Sequence, residues 1–172
     1  MSQLNVDTLA SQTGTLISLA SSNFANFGIM QVASFGPLSG SGNQLETTST
    51  TYEDVPNLTI SITPKVATSK IFYMATVGFW KPEVPGAIKV VENSSGSFVD
   101  LHEMRMQGIS AESGHDSGGN VCLMGLLDHN TTNAITLKIQ GAKEDYSSGN
   151  NRFRINWYGQ EAFGIACEIG NI

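Results

Sequence analysis

Charged residues are scarce in this chain. They make up 14% of its 172 residues, against roughly 25% in an ordinary soluble domain. With 9 basic and 15 acidic residues, the chain has little positive charge to neutralise phosphates, so we expect no nucleic-acid partner. The polar surface must come instead from Ser, Thr, Asn, Gln and Gly, which is typical of extracellular or particle-bound β proteins.

Cysteine, metal-binding spacings and long apolar runs are also scarce or missing. The two cysteines, Cys122 and Cys167, lie in apolar, strand-like runs, which predicts two buried free thiols, with a disulfide as the alternative. No C-x-x-C pattern indicates zinc or redox chemistry, and we expect no metal and no cofactor. No run approaches the ~20 apolar residues that span a bilayer, and Met1–Asn5 lacks the basic start of a signal peptide. We therefore expect neither membrane insertion nor a secretion signal.

Helical periodicity is missing as well. No segment repeats apolar residues at helical spacing over three turns. Short strand-like runs separated by turn-rich stretches recur instead, and about eight core strands of this kind predict an all-β fold, an antiparallel, jelly-roll-like β-sandwich. The predicted strands are Ile29–Ser34, Thr47–Glu53, Leu58–Pro64, Lys70–Trp80, Ala87–Glu92, Ser97–Leu101, Glu103–Ser110, Val121–His129, Ala134–Gly141, Arg152–Gly159 and Phe163–Ile169.

The first 28 residues differ from the rest of the chain. Asp7 is their only charged side chain, and their apolar residues are too few for a core of their own. We therefore predict an N-terminal attachment arm or stalk over residues 1–28, which orders only by packing on other surfaces. The β-sandwich head domain is predicted over residues 29–172.

Two predicted strands have segments that are mostly apolar on both faces, Lys70–Trp80 and Val121–Leu127, whereas Leu58–Thr63, Ala134–Gln140 and Arg152–Tyr158 alternate with polar residues. A two-layer sandwich buries only one face of each sheet, so the second face needs a cover. Another copy of the chain is the simplest cover; an internal loop or the N-terminal arm is the alternative. The side chains expected at this subunit interface are Phe72, Met74, Trp80, Cys122, Met124 and Leu126.

Three stretches resemble virion proteins of tailed bacteriophages, notably those of cyanobacteria. "TYEDVPNLTISITPKVATSKI", residues 51–71, resembles a motif of their tail fibres, although Asn57 stands where the motif commonly has Gly. "LNVDTL", Leu4–Leu9, is similar to their N-terminal start. "FGIACEIGNI" is similar to their final strand, which ends in an apolar-Glu-Ile signature, here at Cys167, Glu168 and Ile169.

The resemblance implies a homotrimer with a thin attachment part and a jelly-roll head. It leads us to expect a structural virion protein, a short trimeric fibre that binds a host surface or glycan through its head. The alternative is a capsid decoration, head-fibre or baseplate protein without receptor binding, and a third interpretation is a secreted cytokine-like or lectin-like jelly roll. Attachment to tail or capsid proteins is expected through Leu4, Asn5, Val6, Asp7 and Leu9.

Receptor binding is expected on loops and outward-facing aromatic residues, because aromatic rings stack on sugars and polar rims bind their hydroxyl groups. Trp157 is expected in the core instead. The Gly-rich loop around Glu112 is expected to be a solvated loop; the alternative is a Ca²⁺ site on its carboxylates, with Asp128 and His129 nearby, but EF-hand spacing is missing. The candidate receptor-binding residues are His115, Asp116, Tyr146 and Tyr158.

No constellation of residues indicates an enzyme. The G-x-S-x-G pattern of a serine hydrolase is missing. Cys167 paired with His102 or His129 is the nearest approach to a catalytic dyad, but its place in an apolar strand favours an inert thiol.

Overall fold

The computed structural model of the chain describes residues 28–81, 86–106, 117–144, 152–157 and 159–170. These ranges contain ten β-strands and a 3-10 turn at Ser41–Asn43. None of their helical segments is long and apolar enough to cross a membrane. The strands are β1 (Ile29–Leu38), β2 (Leu45–Thr47), β3 (Glu53–Ile62), β4 (Lys70–Lys81), β5 (Gly86–Glu92), β6 (Val99–Met106), β7 (Ser117–Asp128), β8 (Ile135–Lys143), β9 (Phe153–Ile155) and β10 (Ala162–Ile169).

The strands form two antiparallel sheets. In sheet A, β10 and β9 pair with successive parts of one edge of β4, and β7 pairs along the opposite edge. β1 pairs with β10 and β2 pairs with β9, which gives the order β1-β10-β4-β9-β2 with β7 beside β4. Sheet B has the order β3-β8-β5-β6. The pairing confirms the predicted antiparallel sandwich.

The core lies between the two sheets and is filled by the inward-facing residues of their strands. Leu58, Ile60 and Ile62 of β3 face Ile71 and Tyr73 of β4 within one cluster of buried side chains. Each fully buried Leu, Ile or Val stabilises the fold by about 1.5–3 kcal/mol. The alternation of apolar and polar residues in β3 and β8 is the pattern that predicts these two strands.

Several predicted strand boundaries are wrong. Residues 48–52 do not form a strand, because β2 ends at Thr47 and β3 begins at Glu53. The predicted strands Ser97–Leu101 and Glu103–Ser110 are one strand, β6, in which Leu101 is an extra residue: Val90 pairs with His102 and Val91 with Asp100. A bulge of this kind interrupts the period-two pattern and makes one strand look like two.

The predicted strand Arg152–Gly159 is also too long. Asn156 adopts a φ of 57°, which ends the extended conformation after three residues. Its side chain is buried, and the side-chain nitrogen Nδ2 donates to the carbonyl oxygens of Leu38 at 3.0 Å and Asn43 at 3.1 Å. Trp157 is therefore half-buried rather than in the core, with the Arg154 guanidinium 4.7 Å from its ring centre.

Asn57 forms part of a bulge in β3. Its φ is 61°, in the left-handed region that favours glycine. Its side-chain nitrogen donates to the carbonyl oxygen of Gly42 at 3.2 Å and to Oδ1 of Asn43 at 3.0 Å. Asn tolerates this conformation better than other residues with a side chain, which is why the bulge accommodates Asn57.

A buried carboxylate joins β10 to the turn between β3 and β4. Glu168 is 0% exposed. Its Oε1 accepts hydrogen bonds from the backbone amides of Lys65 at 2.8 Å and Val66 at 3.0 Å and from the Ser69 hydroxyl at 2.7 Å. Its Oε2 accepts from Gln31 Nε2 of β1 at 2.7 Å. The turn between "ITPK" and "SKI" and the distant segment "CEI" therefore meet at one site.

The hydrogen bonds keep Glu168 ionised. Burial by itself raises the pKa of this carboxyl, but the bonds from Lys65, Ser69, Val66 and Gln31 outweigh burial, and the pKa lies below its ordinary value of 4.5. The largest contributions to this lowering come from backbone amides and uncharged polar side chains. The charge is thus stabilised by oriented dipoles of the turn.

His129 extends this polar cluster to the loop after β7. Its Nε2 lies 3.3 Å from the Ser69 hydroxyl, and its Nδ1 lies 3.0 Å from the carbonyl oxygen of Thr131. The side chain is buried. Of the two residues named as possible ion ligands here, His129 is thus hydrogen-bonded within the polar cluster, while Asp128 is exposed and pairs with Lys70 at 2.7 Å.

Replacing Asn57 tests the backbone conformation of the bulge. Asn57→Gly should change the free energy of unfolding by only a few tenths of a kcal/mol, because Gly adopts this φ freely. Asn57→Val should lower it by about 1–2 kcal/mol, because a β-branched residue is strained there. Urea unfolding at fixed protein concentration measures both. Thr59→Val, at an exposed position of the same strand, is the control, and equal stability of the two Val variants would contradict the assignment.

Glu168→Gln tests the buried carboxylate. At pH 7 the variant should lose about 2–4 kcal/mol of unfolding free energy. The negative charge is gone, and the NH₂ group of Gln would face hydrogen-bond donors that now bind the carboxylate oxygens. Because the folded-state pKa of Glu168 is lowered, the wild-type advantage is present above pH 4.5 and shrinks as the pH falls below that value. Urea unfolding at pH 7, 5 and 3.5 measures the difference.

The exposed residue Glu161 provides the matched control for this experiment. Glu161→Gln should leave stability within about 0.5 kcal/mol of wild type at pH 7. A Glu168→Gln penalty that stays constant from pH 7 to pH 3.5 would show that the charge on Glu168 is not what stabilises the turn.

Candidate subunit interface

The outer face of sheet B is polar. The Asp54 carboxylate accepts hydrogen bonds from Lys138 Nζ and Gln140 Nε2, each at 2.7 Å. Lys89 pairs with Asp100 at 2.7 Å on the neighbouring strands. This face is suited to contact with water.

The outer face of sheet A is apolar. Phe72 of β4 lies opposite Leu126 of β7, and Met74 lies opposite Met124. Residues directly opposite in an antiparallel pair share a face of the sheet. Met124 is 50% and Leu126 is 53% exposed in the single chain. Large apolar side chains in the middle of β7 are thus open to solvent.

The neighbouring strands extend this surface. Ile165 of β10 lies opposite Met74, and the exposed Phe163 lies opposite Thr76. Val32 of β1 is also exposed and pairs with β10 on the same side. We call this surface the outer apolar face, and it consists of Val32, Phe72, Met74, Cys122, Met124, Leu126, Phe163, Ile165 and Cys167, which is buried between its neighbours on this face.

The contribution of β10 to this face is not among the residues predicted from the sequence. The segment Ala162–Ile169 is apolar on both faces over most of its length, which is the signal that identifies β4 and β7. Phe163 and Ile165 could therefore have been predicted from the same pattern.

Five of the six residues predicted at the interface lie together on the outer apolar face. Trp80 is on the same side of β4 as Met74, but six residues along a strand place it about 20 Å away. It is half-buried and lies opposite Gly118. A side chain at Gly118 would come within 2.9 Å of the indole ring, so the ring lies over this glycine. Trp80 is separate from the continuous apolar surface.

Both cysteines are free thiols. The prediction of burial is confirmed for Cys167 and wrong for Cys122, which is exposed because the outer face of β7 has no cover in the single chain. Burial raises the pKa of the Cys167 thiol, which favours the neutral form. His129 contacts Ser69, and His102 Nδ1 lies 3.1 Å from the carbonyl oxygen of Met124. Both histidines therefore have partners other than a thiol.

Other predicted site residues lie outside the described ranges. Within those ranges, no three His, Cys, Asp or Glu side chains gather to hold a metal ion. The residues outside the ranges are the attachment residues Leu4, Asn5, Val6, Asp7 and Leu9 and the receptor-binding candidates His115, Asp116, Tyr146 and Tyr158.

The outer apolar face is suited to binding a second apolar protein surface. Along β4 and β7 it is bounded by the Lys70–Asp128 ion pair at one end and by the exposed Asn120 at the other. A polar boundary around an apolar centre is typical of protein–protein interfaces.

No family model matches the chain, and no curated protein matches it. Among solved structures, the chain is similar to Eiger TNF from S. frugiperda, with a TM-score of 0.54 and 7% sequence identity. The likeness covers 84% of this chain and 96% of that one. At this identity it shows the fold alone, and it confirms the predicted jelly-roll-like β-sandwich.

Proposed function

We propose that this chain is a structural virion protein, the self-associating head of a short trimeric fibre of a tailed bacteriophage. The N-terminal arm anchors it to the particle, and the head binds a host surface or glycan. The observation that carries the proposal is the contrast between the apolar outer face of sheet A and the polar outer face of sheet B. The resemblance of residues 51–71 to phage-fibre proteins supplies the biological setting.

The energetics of the outer apolar face favour a closed ring over a single contact. Burying the exposed halves of Val32, Met124, Leu126 and Phe163 contributes about 1 kcal/mol for each side chain. Association costs about 4–15 kcal/mol in lost freedom of motion. A closed ring of three chains forms three interfaces, but freedom of motion is lost only twice, once for each chain added to the first. A modest free energy per interface is therefore enough to hold the ring together.

A second apolar surface favours a head-to-tail ring. Val99 and Met104 are exposed on β6, the edge strand of sheet B, on the side that faces the core. This edge lies beside β7, where His102 contacts the Met124 backbone. Two different apolar surfaces on one chain favour a contact between unlike surfaces, which generates a cyclic assembly.

Burial of the outer apolar face would direct sheet B outward. Three copies of a weak site on one rigid head then bind a repetitive surface far more tightly than one copy does. The likeness to Eiger TNF concerns the fold, and the phage-like motif is what favours a particle protein over a cytokine-like one.

Met124→Glu tests self-association. Light scattering on a sizing column should give three chain masses for the wild type and one for the variant, because the interface would bury an unpaired charge. Thr59→Glu, at an exposed position on β3 of sheet B, is the control and should stay trimeric. A monomeric wild type would contradict the trimer.

The two thiols give an independent measure of the same interface. In the wild-type trimer neither Cys122 nor Cys167 should react quickly with a thiol reagent. In the Met124→Glu monomer Cys122 should react, while Cys167 stays protected by its own fold. Rapid labelling of Cys122 in an assembled trimer would place the interface elsewhere.

Purified particles test the virion role. Mass spectrometry of density-purified phage particles should find the chain, in a copy number divisible by three, and the purified chain should block their adsorption to the host. A chain that is present on the particle but does not block adsorption supports the decoration or baseplate alternative. Absence from the particle would contradict both interpretations.

A further inference from the structure

A cleft of about 250 Å³ opens on the side of the molecule opposite the outer apolar face. It lies at one end of sheet B, beside the segment that precedes β3. Residues from four parts of the chain line it, among them Thr50, Tyr52, Ala87, Arg105, Ala142 and Glu144.

The cleft exists because one row of the sheet carries small side chains. Ala142 of β8 lies opposite Ala87 of β5, which lies opposite Arg105 of β6. The adjacent row carries longer side chains, among them Lys89 and Glu103. The two alanine methyl groups therefore form the floor of a depression, and the longer residues form one wall.

Tyr52 forms a fixed aromatic wall. Lys89 Nζ lies 4.0 Å from the centre of its ring. Burial and a hydrogen bond between its hydroxyl and Glu103 raise the pKa of Tyr52, so the hydroxyl stays protonated. Cation and carboxylate together hold the ring in one orientation.

Arg105 faces this wall, and its donors are held in place. Its guanidinium bonds the Glu103 carboxylate and lies 3.7 Å from that of Glu144. The Arg105 side chain remains 59% exposed, so part of the guanidinium is open to the cleft. Glu144 is buried at the end of the cleft, next to Lys143.

The mixture of groups selects the class of ligand. A phosphate needs donors and is repelled by Glu103 and Glu144; a metal cation needs acceptors and is repelled by Arg105 and Lys143. The hydroxyl groups of a sugar both donate and accept, and its C–H surfaces suit an aromatic ring and methyl groups. We propose that this cleft binds one or two units of an uncharged saccharide.

The inference rests on the proposed function and specifies its ligand. Because the cleft lies opposite the outer apolar face, it stays accessible when that face is buried in a trimer. β6 and β8 both end beside it, since Met106 and Lys143 both pair with Gly86.

The test uses the full-length chain and a panel of immobilised neutral and acidic oligosaccharides, followed by titration of the saccharides that bind. Wild type should bind neutral members. Ala87→Leu, which fills the floor, and Arg105→Ala should each weaken binding at least tenfold. Arg105→Lys should weaken it too, because an ammonium group cannot replace the planar fork of donors.

Arg152→Ala is the matched control. Arg152 is 58% exposed and ion-paired with Glu46, as Arg105 is 59% exposed and ion-paired with Glu103. This variant should bind as wild type does. All variants are compared at equal solution mass and equal unfolding midpoint; if Ala87→Leu fails to fold, the two Arg105 variants decide.

Each outcome separates this inference from the proposed function. If only acidic saccharides bind, the proposal of an uncharged ligand is overturned. If neutral saccharides bind the Arg105 variants as they bind wild type, the proposal that they bind in the cleft is overturned. If no saccharide binds while the chain still blocks adsorption of the particle, the cleft inference fails and the fibre proposal stands. If neutral saccharides bind at the cleft but the chain is absent from the particle, the fibre proposal fails and the cleft stands.

Discussion

The carboxylate of Glu168 connects three segments that are distant in the chain. It lies in β10, accepts hydrogen bonds from the turn around Lys65 and Ser69, and bonds Gln31 of β1. A buried charge without partners costs several kcal/mol, so these segments keep their relative positions together or lose them together. The Glu168 carboxylate thus adds a side-chain anchor to the backbone ladders that pair β10 with β1 and β4.

The register of sheet A decides which side chains face outward. With β10 and β7 paired to β4 as observed, Phe72, Met74 and Met124 share the outer surface while Ile71 and Tyr73 fill the core. A slip of one residue would exchange the two faces of a strand. Because both faces of β4 are apolar, the alternation of this strand specifies its register weakly. The hydrogen bonds of Glu168 specify the register of β10 more strongly than apolar packing alone does.

The two proposed binding surfaces divide the molecule by sheet. Sheet A presents flat apolar surface, which suits contact with another chain. Sheet B presents paired charges and a cleft with fixed donors and acceptors around Tyr52 and Arg105, which suits a polar ligand. Both surfaces follow from the same sandwich, because burial of one face of each sheet leaves the other face free to take its own chemistry.

The sequence by itself determined the fold class and the doubly apolar strands, because period-two alternation and strand length are local properties that survive without knowledge of the partners. Only the tertiary structure decided that Asn156 is buried, that Cys122 is exposed and that Glu168 meets Ser69 across 99 positions of sequence. Burial and hydrogen bonding of these groups depend on which strands pair and in what register. The pairs that decide it, such as β1 with β10, join opposite ends of the described chain, and no local pattern encodes that choice.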